Sequence, residues 1–360
     1  MGAQKSIHAG KARIDVNVDL THKLCAALMP PSLLRRSGLF SEVIARLCIK
    51  HPNLFGRREK LDVMWNKGLC DSNLLITFRR PRSLSLSQQS FIVEHSITPE
   101  IGVLGVPLEG FTHSGGCGIN LRRFSMGVDF SEPPSSHWSS TTSVKLEHIS
   151  PINDEGRPID RDLDGFLVTC SGNSHDNMVV LKQEAQYAVA DERSFTRLNF
   201  QIEQGLPVLS KWLIFNRVKL VISKGVKLGP AFLVTSLTGG SVVGDMAPYQ
   251  AFSIGGLNSV RGYGEGAVGS GRSCLVMNSE LAVPLMQGLE GTIFLDCGTD
   301  MGSAHYVPGN PALRQGKPGS GIGCGYGFRI NSRFGQLQAD YAINAFNRKT
   351  FYFSINSGVS

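Results

Sequence analysis

Hydrophobic and polar residues alternate with a period of two along most of this chain. Between Arg13 and Leu20, Ile14, Val16, Val18 and Leu20 alternate with Arg13, Asp15, Asn17 and Asp19. Successive side chains of an extended strand point to opposite faces, so the segment sends its apolar groups one way and its polar groups the other. The style recurs. Phe124, Met126, Val128 and Phe130 alternate with Arg123, Ser125, Gly127 and Asp129, and Leu198, Phe200 and Ile202 with Arg197, Asn199, Gln201 and Glu203. Val218, Leu220 and Ile222 stand against Arg217, Lys219 and Val221. Near the end, Leu337, Ala339, Tyr341 and Ile343 oppose Gln338, Asp340 and Ala342, and Phe351, Phe353 and Ile355 oppose Tyr352, Ser354 and Asn356. The pattern predicts sixteen strands, near 11–21, 43–51, 60–68, 73–80, 90–96, 119–130, 138–148, 176–188, 196–204, 213–224, 230–240, 273–283, 290–298, 319–330, 336–343 and 350–357.

Strands of about ten residues, apolar on one face and polar or charged on the other, are the signature of a transmembrane β-barrel. Hydrocarbon cannot satisfy backbone polar groups, so only helices or closed sheets span it. No window holds 18 consecutive apolar residues, which removes the helical option. A soluble sandwich or lipocalin-like barrel would need two packed sheets of unusual size to place so many charged faces in water. The expected fold is therefore all-β, an antiparallel transmembrane barrel of sixteen strands over 11–360 after a short segment 1–10. Insertions at 25–40, 97–118, 149–175, 241–272 and 299–318 read as its longer loops.

Composition narrows the function. Charged residues make up 18% of the 360, below the roughly 25% of soluble globular chains. The 41 glycines are spread along the chain, as many tight turns and close backbone approaches require. The net charge of +7 is not gathered into a basic run, so it reads as solvated surface charge and no nucleic-acid partner is expected. The eight cysteines form no C-x-x-C and the nine histidines no H-E-x-x-H, so neither a zinc site nor a compact disulfide framework is expected. His95 beside Glu94 and His175 beside Asp176 read as ordinary strand or loop residues. With no paired carboxylates, nucleophile triad or metal cluster, the chain is expected to be no enzyme and to need no cofactor. Met1-Gly2-Ala3-Gln4-Lys5-Ser6 fits the myristoylation template, and no apolar signal-peptide core follows it.

One stretch invites a nucleotide reading. Gly266 to Ser273, GAVGSGRS, is one residue from the phosphate-cradling G-x-x-x-x-G-K-[ST], and Gly264, Gly266 and Gly269 satisfy G-x-G-x-x-G. Both motifs need a buried strand before them and a helix after. Here Arg272 replaces the lysine and Ser273 opens CLVMNSELAVPL, a strand-like run with Pro284. No nucleotide partner is expected. What remains is a Gly-rich loop around Val260, Arg261, Gly262 and Tyr263. A permanently charged guanidinium in a narrow lumen needs a carboxylate or several carbonyls. A loop 241–272 folded into its own barrel and a surface loop with a solvated arginine both fit at this level.

Gly255-Gly256-x-x-Ser259-Val260-Arg261-Gly262-Tyr263 resembles the sixth external loop of the BamA-type outer-membrane barrel superfamily, which assembles or translocates proteins. Asn53-Leu54-Phe55-Gly56 is similar to a turn of that family, Phe294-Leu295-Asp296-Cys297-Gly298 to its F-x-D-x-G strand, and Gly319 to Ala342 to its closing region. EGAVGSGRS, GTDMGS and EQGLPVL resemble the plastid outer-envelope branch. The resemblance implies that Arg261 enters the lumen and pairs with Asp296. It also implies a plastid outer-membrane location, contact with membrane lipids and a seam between Lys11–Leu20 and Thr350–Asn356 that opens to template an incoming strand. β-barrel precursors, or a full-length relative carrying soluble POTRA modules, are the implied protein partners. With a strand starting near residue 11, no POTRA module is expected here. The other reading is a solute or ion pore, with Arg123, Arg197, Arg217, Lys219, Asp15 and Asp129 facing inward and a moderate anion preference.

Overall fold

The computed structural model describes residues 2–6, 13–17, 25–29, 43–55, 59–68, 71–80, 87–100, 119–132, 137–162, 165–209, 211–301, 317–332 and 335–356. Strands β1 (Gly2–Ser6) and β2 (Arg13–Asn17) pair with each other in a separate two-stranded sheet. Sixteen strands form one antiparallel sheet. In chain order they begin β3 (Cys25–Met29), β4 (Val43–His51), β5 (Lys60–Gly68), β6 (Ser72–Arg80), β7 (Gln88–Pro99) and β8 (Asn120–Ser131). Next come β9 (Trp138–Ile152), β10 (Asp176–Ala190), β11 (Ser194–Leu206), β12 (Phe215–Leu228) and β13 (Ala231–Gly244). A small hairpin of β14 (Phe252–Ile254) and β15 (Gly269–Gly271) lies within the connection after β13. The sheet resumes with β16 (Ser273–Met286), β17 (Leu289–Thr299), β18 (Ser320–Ser332), β19 (Gly335–Asn344) and β20 (Lys349–Asn356).

Within the sixteen-stranded sheet each strand pairs with the strand next to it in sequence, except that β13 is joined to β16 across the β14–β15 insertion. Residues 245–272 therefore leave the sheet and return to it at one end. Gly229 and Gly288, at φ +63° and +84°, make the tight turns at the opposite end, a backbone state in which a Cβ would be strained. Strands β8 to β13 run 12 to 15 residues, beyond the about 9–11 needed to cross a bilayer, so they project past it toward the long loops.

Fifteen of the expected strands lie where the alternation puts them. The first does not. Cys25–Met29, inside a segment expected to be a loop, forms the edge of the large sheet, and Arg13–Asn17 joins the short hairpin instead. The sequence CAALM has no polar alternation to announce it, and pairing Arg13–Asn17 with the nearby Gly2–Ser6 closes a short loop at low entropic cost. Lys11 and Leu20 lie outside the described residues. The sheet's two end strands are thus β3 and β20, and no ladder joins them among the described residues.

The two faces of the sheet differ as the period of two requires. Phe91, Val93, Phe124, Met126, Val144, Leu146, Ile293, Leu295, Tyr326, Phe328, Phe351 and Phe353 are exposed on the outer face. A soluble protein would not present such a band, whereas hydrocarbon accepts it. The inner face carries Ser125, Ser143, Asp296, Gln338 and Asp340, all buried.

Leu295 lies near the middle of β17 with its side chain outward. Leu295→Arg is expected to destabilise the folded protein in lipid by about 2–4 kcal/mol, and Leu289→Arg at the strand's end by about 0–1, read from urea titrations in vesicles. Equal costs at the two positions would contradict the assignment of this face to the membrane.

Candidate functional site

The connection from 245 to 272 folds back into the barrel. It starts with one 3-10 turn, Pro248–Gln250, and the β14–β15 hairpin, and it carries Arg261 to its tip. Val260, Arg261, Gly262 and Tyr263 are all buried. The bend is built by Gly255, Gly256 and Gly262, whose φ angles of +123°, +90° and +96° lie in the region that favours glycine.

Arg261 meets three carboxylates from three strands. Its Nε donates to Asp296 Oδ2 at 2.6 Å and its Nη2 to Asp296 Oδ1 at 3.0 Å, a bidentate fork. Its Nη1 donates to Glu280 Oε2 at 3.0 Å and to Asp340 Oδ2 at 3.2 Å. The backbone N–H of Arg261 adds a bond to Asp296 Oδ2 at 3.2 Å. The guanidinium carbon sits 3.5 Å from the centre of the Phe294 ring, a cation–π contact in a site sealed from water. Arg329 also pairs with Glu280, and Gln338 Nε2 donates to Asp340 Oδ2 at 2.7 Å. Two guanidinium groups thus face three carboxylates. Burial alone would lower the Arg261 pKa, but Asp296, Glu280 and Asp340 outweigh it and raise it, so the side chain stays charged.

The backbone around Arg261 is tied to the last strands. Gly262 N–H donates to the Tyr352 hydroxyl at 2.9 Å, and that hydroxyl donates to Tyr263 O at 2.7 Å. Asn344 Nδ2 and Thr350 Oγ1 donate to Gly262 O at 3.0 and 3.4 Å, and Asn278 Nδ2 to Ser259 O at 2.5 Å. The loop can lie this close to the wall because of β18. Gly321, Gly323, Gly325 and Gly327 occupy its inner face at every second position. A Cβ on Gly323 would collide with the Arg261 carbonyl, and one on Gly321 would come within 3.1 Å of the Tyr263 ring. The Phe294 ring rests over Gly325 in the same way.

Glu265, further along the loop, folds its carboxyl against Gly256, and its Oε1 has no hydrogen-bond partner among the described residues. Burial pushes its pKa from the ordinary 4.5 up to about 7. The base of the loop packs into an apolar cluster with Ile149, Val168, Met178, Phe215, Val242 and Val276. This end of the lumen is filled with hydrophobic side chains, which the alternation alone does not suggest, because they lie above the membrane-crossing part of each strand.

Away from the loop the inner wall is polar. Two cavities, about 210 and 260 Å³, share Lys145 and Lys182 and run along β7 to β12. The expected basic excess is not found in their lining. Arg123, Lys145, Lys182 and Arg217 are met there by Glu94, Asp129, Glu147, Glu184 and Glu203. Arg217 of β12 pairs with Glu203 of β11 at 3.1 Å, and Lys182 of β10 reaches the same Glu203 at 4.0 Å, so acid and base meet between neighbouring strands, while Lys182 also pairs with Glu184 on its own strand at 3.7 Å. Asp15 lies on the separate hairpin, and Arg197 is exposed. Glu280 and Asp340 complete the arginine socket without having been singled out from the sequence, and Phe294, named there only as part of the F-x-D-x-G strand, lies against the guanidinium. Their inward register was legible, and glycine at every second position of β18 was the visible sign of a close approach. Among the described residues no group of three or more His, Cys, Asp or Glu side chains is placed to hold a metal ion.

Comparison with known proteins agrees with this geometry. The sequence profile of the Omp85 superfamily domain matches residues 53–358. The chain is 66% identical over 357 residues to outer envelope protein 39, chloroplastic, of Arabidopsis thaliana, covering 99% of each. It is 40% identical over 322 residues to outer envelope protein 80, chloroplastic, of the same plant, covering 89% of this chain and 43% of that one. Among solved structures, BamA from Haemophilus ducreyi lacking POTRA domains 1–3 superposes with a TM-score of 0.65 at 16% identity, over 87% of this chain and 67% of that one.

Arg261→Ala is expected to cost about 3–5 kcal/mol, because it strands the buried carboxylates of Asp296 and Asp340, and Arg261→Lys to recover only part of this, having neither the fork nor the flat face for Phe294. Urea unfolding in vesicles reads both, and a wild-type midpoint for the alanine variant would refute the role of the socket. For Glu265 the folded pKa is raised, so its neutral form stabilises the seated loop fully below about 4.5, and that stability is lost as pH rises through about 7. A nitroxide at the exposed Asn258 should gain mobility from pH 5 to pH 8 in the otherwise wild-type protein and show no such change with Glu265→Gln.

Proposed function

The chain belongs to the Omp85 superfamily, and from that premise we propose that it inserts or assembles β-barrel proteins at the plastid outer envelope. Its relatives are chloroplast outer envelope proteins, and the chain itself is a multi-pass barrel of that membrane. The incoming precursor pairs a strand with the edge of β20 or β3, whose outer N–H and C=O groups join no ladder among the described residues and template a new one. The observation that carries this reading is the contact between the lumen loop and β20: Tyr352 and Thr350 of the end strand hold the backbone of Gly262 and Tyr263. Seating the loop and positioning the edge are thereby one event. A full-length relative with POTRA modules would deliver clients in trans.

A second reading, a small-solute or ion channel, is favoured by the two polar cavities along β7 to β12. The paired acid and base groups there point to weak selectivity rather than a marked anion preference.

Cysteine pairs placed along Ala26–Leu28 and Thr350–Ser354 separate the two readings. Oxidative cross-linking of these end strands should abolish most insertion of a barrel precursor into vesicles, with recovery on reduction. Full insertion through a demonstrably cross-linked protein would overturn the insertion reading. Planar-bilayer recording of the same sample tests the other: a channel conducts with the seam closed, and the absence of any current rules it out.

A further inference from the structure

The lumen loop has a second anchorage, at its base and on the opposite wall from Arg261. Asp176, the first residue of β10, is fully buried. Its Oδ2 accepts a hydrogen bond from the Tyr249 hydroxyl at 2.8 Å and one from Cys170 N–H at 2.9 Å, and its Oδ1 accepts one from Ser171 N–H at 2.9 Å. Tyr249 belongs to the lumen loop, whereas Cys170 and Ser171 belong to the surface segment 153–175. One carboxylate therefore joins two segments that are far apart in sequence.

The surroundings reinforce the junction. Gln250 Nε2 lies 3.8 Å from Met178 Sδ, and the Arg217 guanidinium sits 4.6 Å from the centre of the Phe252 ring. From the other side, Val168 of the surface segment is fully buried in the same apolar cluster as Tyr249. The described residues of the segment are tied locally: Ile159 N–H bonds Pro151 O at 3.0 Å, and Thr169 Oγ1 bonds Asn173 O at 2.6 Å. Burial, then Asp176, raises the Tyr249 pKa well above its ordinary value, so the hydroxyl remains a donor.

We propose that Asp176 is a second positioning residue for the lumen loop and that it couples this loop to the surface segment 153–175. Drawing Cys170 and Ser171 outward removes two of the three donors that hold a buried charge. A carboxylate so exposed turns to water, and Tyr249 is left without its acceptor. The base of the loop then loosens while Arg261 keeps its socket. Tyr249 and Gln250 also line the larger lumen cavity, of about 260 Å³, so loosening them widens the passage beside β7 to β12. The coupling does not depend on whether the barrel inserts proteins or conducts solutes.

The test uses the exposed thiol of Cys170 as the handle on the surface segment. With the other seven cysteines changed to alanine, the protein is folded into vesicles and Cys170 is modified with a polyethylene-glycol maleimide. Deuterium exchange is then followed over 245–252 and over the loop tip, 258–264. Labelling should raise exchange over 245–252 about five- to thirtyfold, the effect of losing one buried hydrogen bond. Tyr249→Phe, which leaves Asp176 with its two backbone donors, should raise it similarly, and the label should then add nothing. Arg261→Ala should raise exchange at the tip alone. Two results would overturn the proposal: a label without effect where Tyr249→Phe has one, or a label that acts equally in both backgrounds.

Discussion

A guanidinium buried among three carboxylates sets the position of almost everything else in the closing third of the molecule. Glu280, Asp296 and Asp340 come from three different strands, and each faces inward only in the observed register. A slip of one residue in β16, β17 or β19 would turn a carboxylate into the lipid and leave Arg261 with an incomplete shell. The arginine thus selects the register of the wall, and the wall in return fixes the loop. Neither half is stable alone, since a charge on either side would be buried without its partner.

From this fixed point the loop crosses the lumen. Its tip is held on β16, β17, β19 and β20, and its base on β10 and β12, with an apolar cluster packed around the base. The polar cavities follow the wall that the tip does not touch. Fold and site are consequently one design: a sheet that presents hydrocarbon to the bilayer and encloses a strap of its own chain.

Much of this was legible in the amino-acid sequence, for a physical reason. Lipid outside and charge inside impose a strict period of two, which located β4 to β13 and β16 to β20. The same logic failed at Cys25–Met29, whose five residues carry no polar alternation, and it overestimated the reach of Arg13–Asn17, whose alternation serves a local hairpin. The pairing of Arg261 with Asp296 was implied by resemblance, not by spacing. Glu280 and Asp340 were visible as inward residues, but only the barrel's curvature brings them to one guanidinium. Asp176 and Tyr249 offered no pattern, being 73 residues apart and joined solely by the return of the loop. The expected basic excess is absent from the cavity lining because the expected inward set did not include Glu94, Glu147, Glu184 and Glu203, which stand there against Arg123, Lys145, Lys182 and Arg217.

The glycines on the inner face of β18 have a mechanical meaning. A stretch of strand with glycine at four successive inner positions, Gly321 to Gly327, has little to resist bending and gains much backbone freedom when unsupported. It lies beside the last two strands of the sheet. With the loop seated, the Arg261 carbonyl and the Tyr263 ring fill part of the empty row like a splint, beside the Phe294 ring of the adjoining β17. Withdrawal of the splint leaves a wall that flexes at one defined place, next to its open edge, while the staves from β8 to β13 keep their shape.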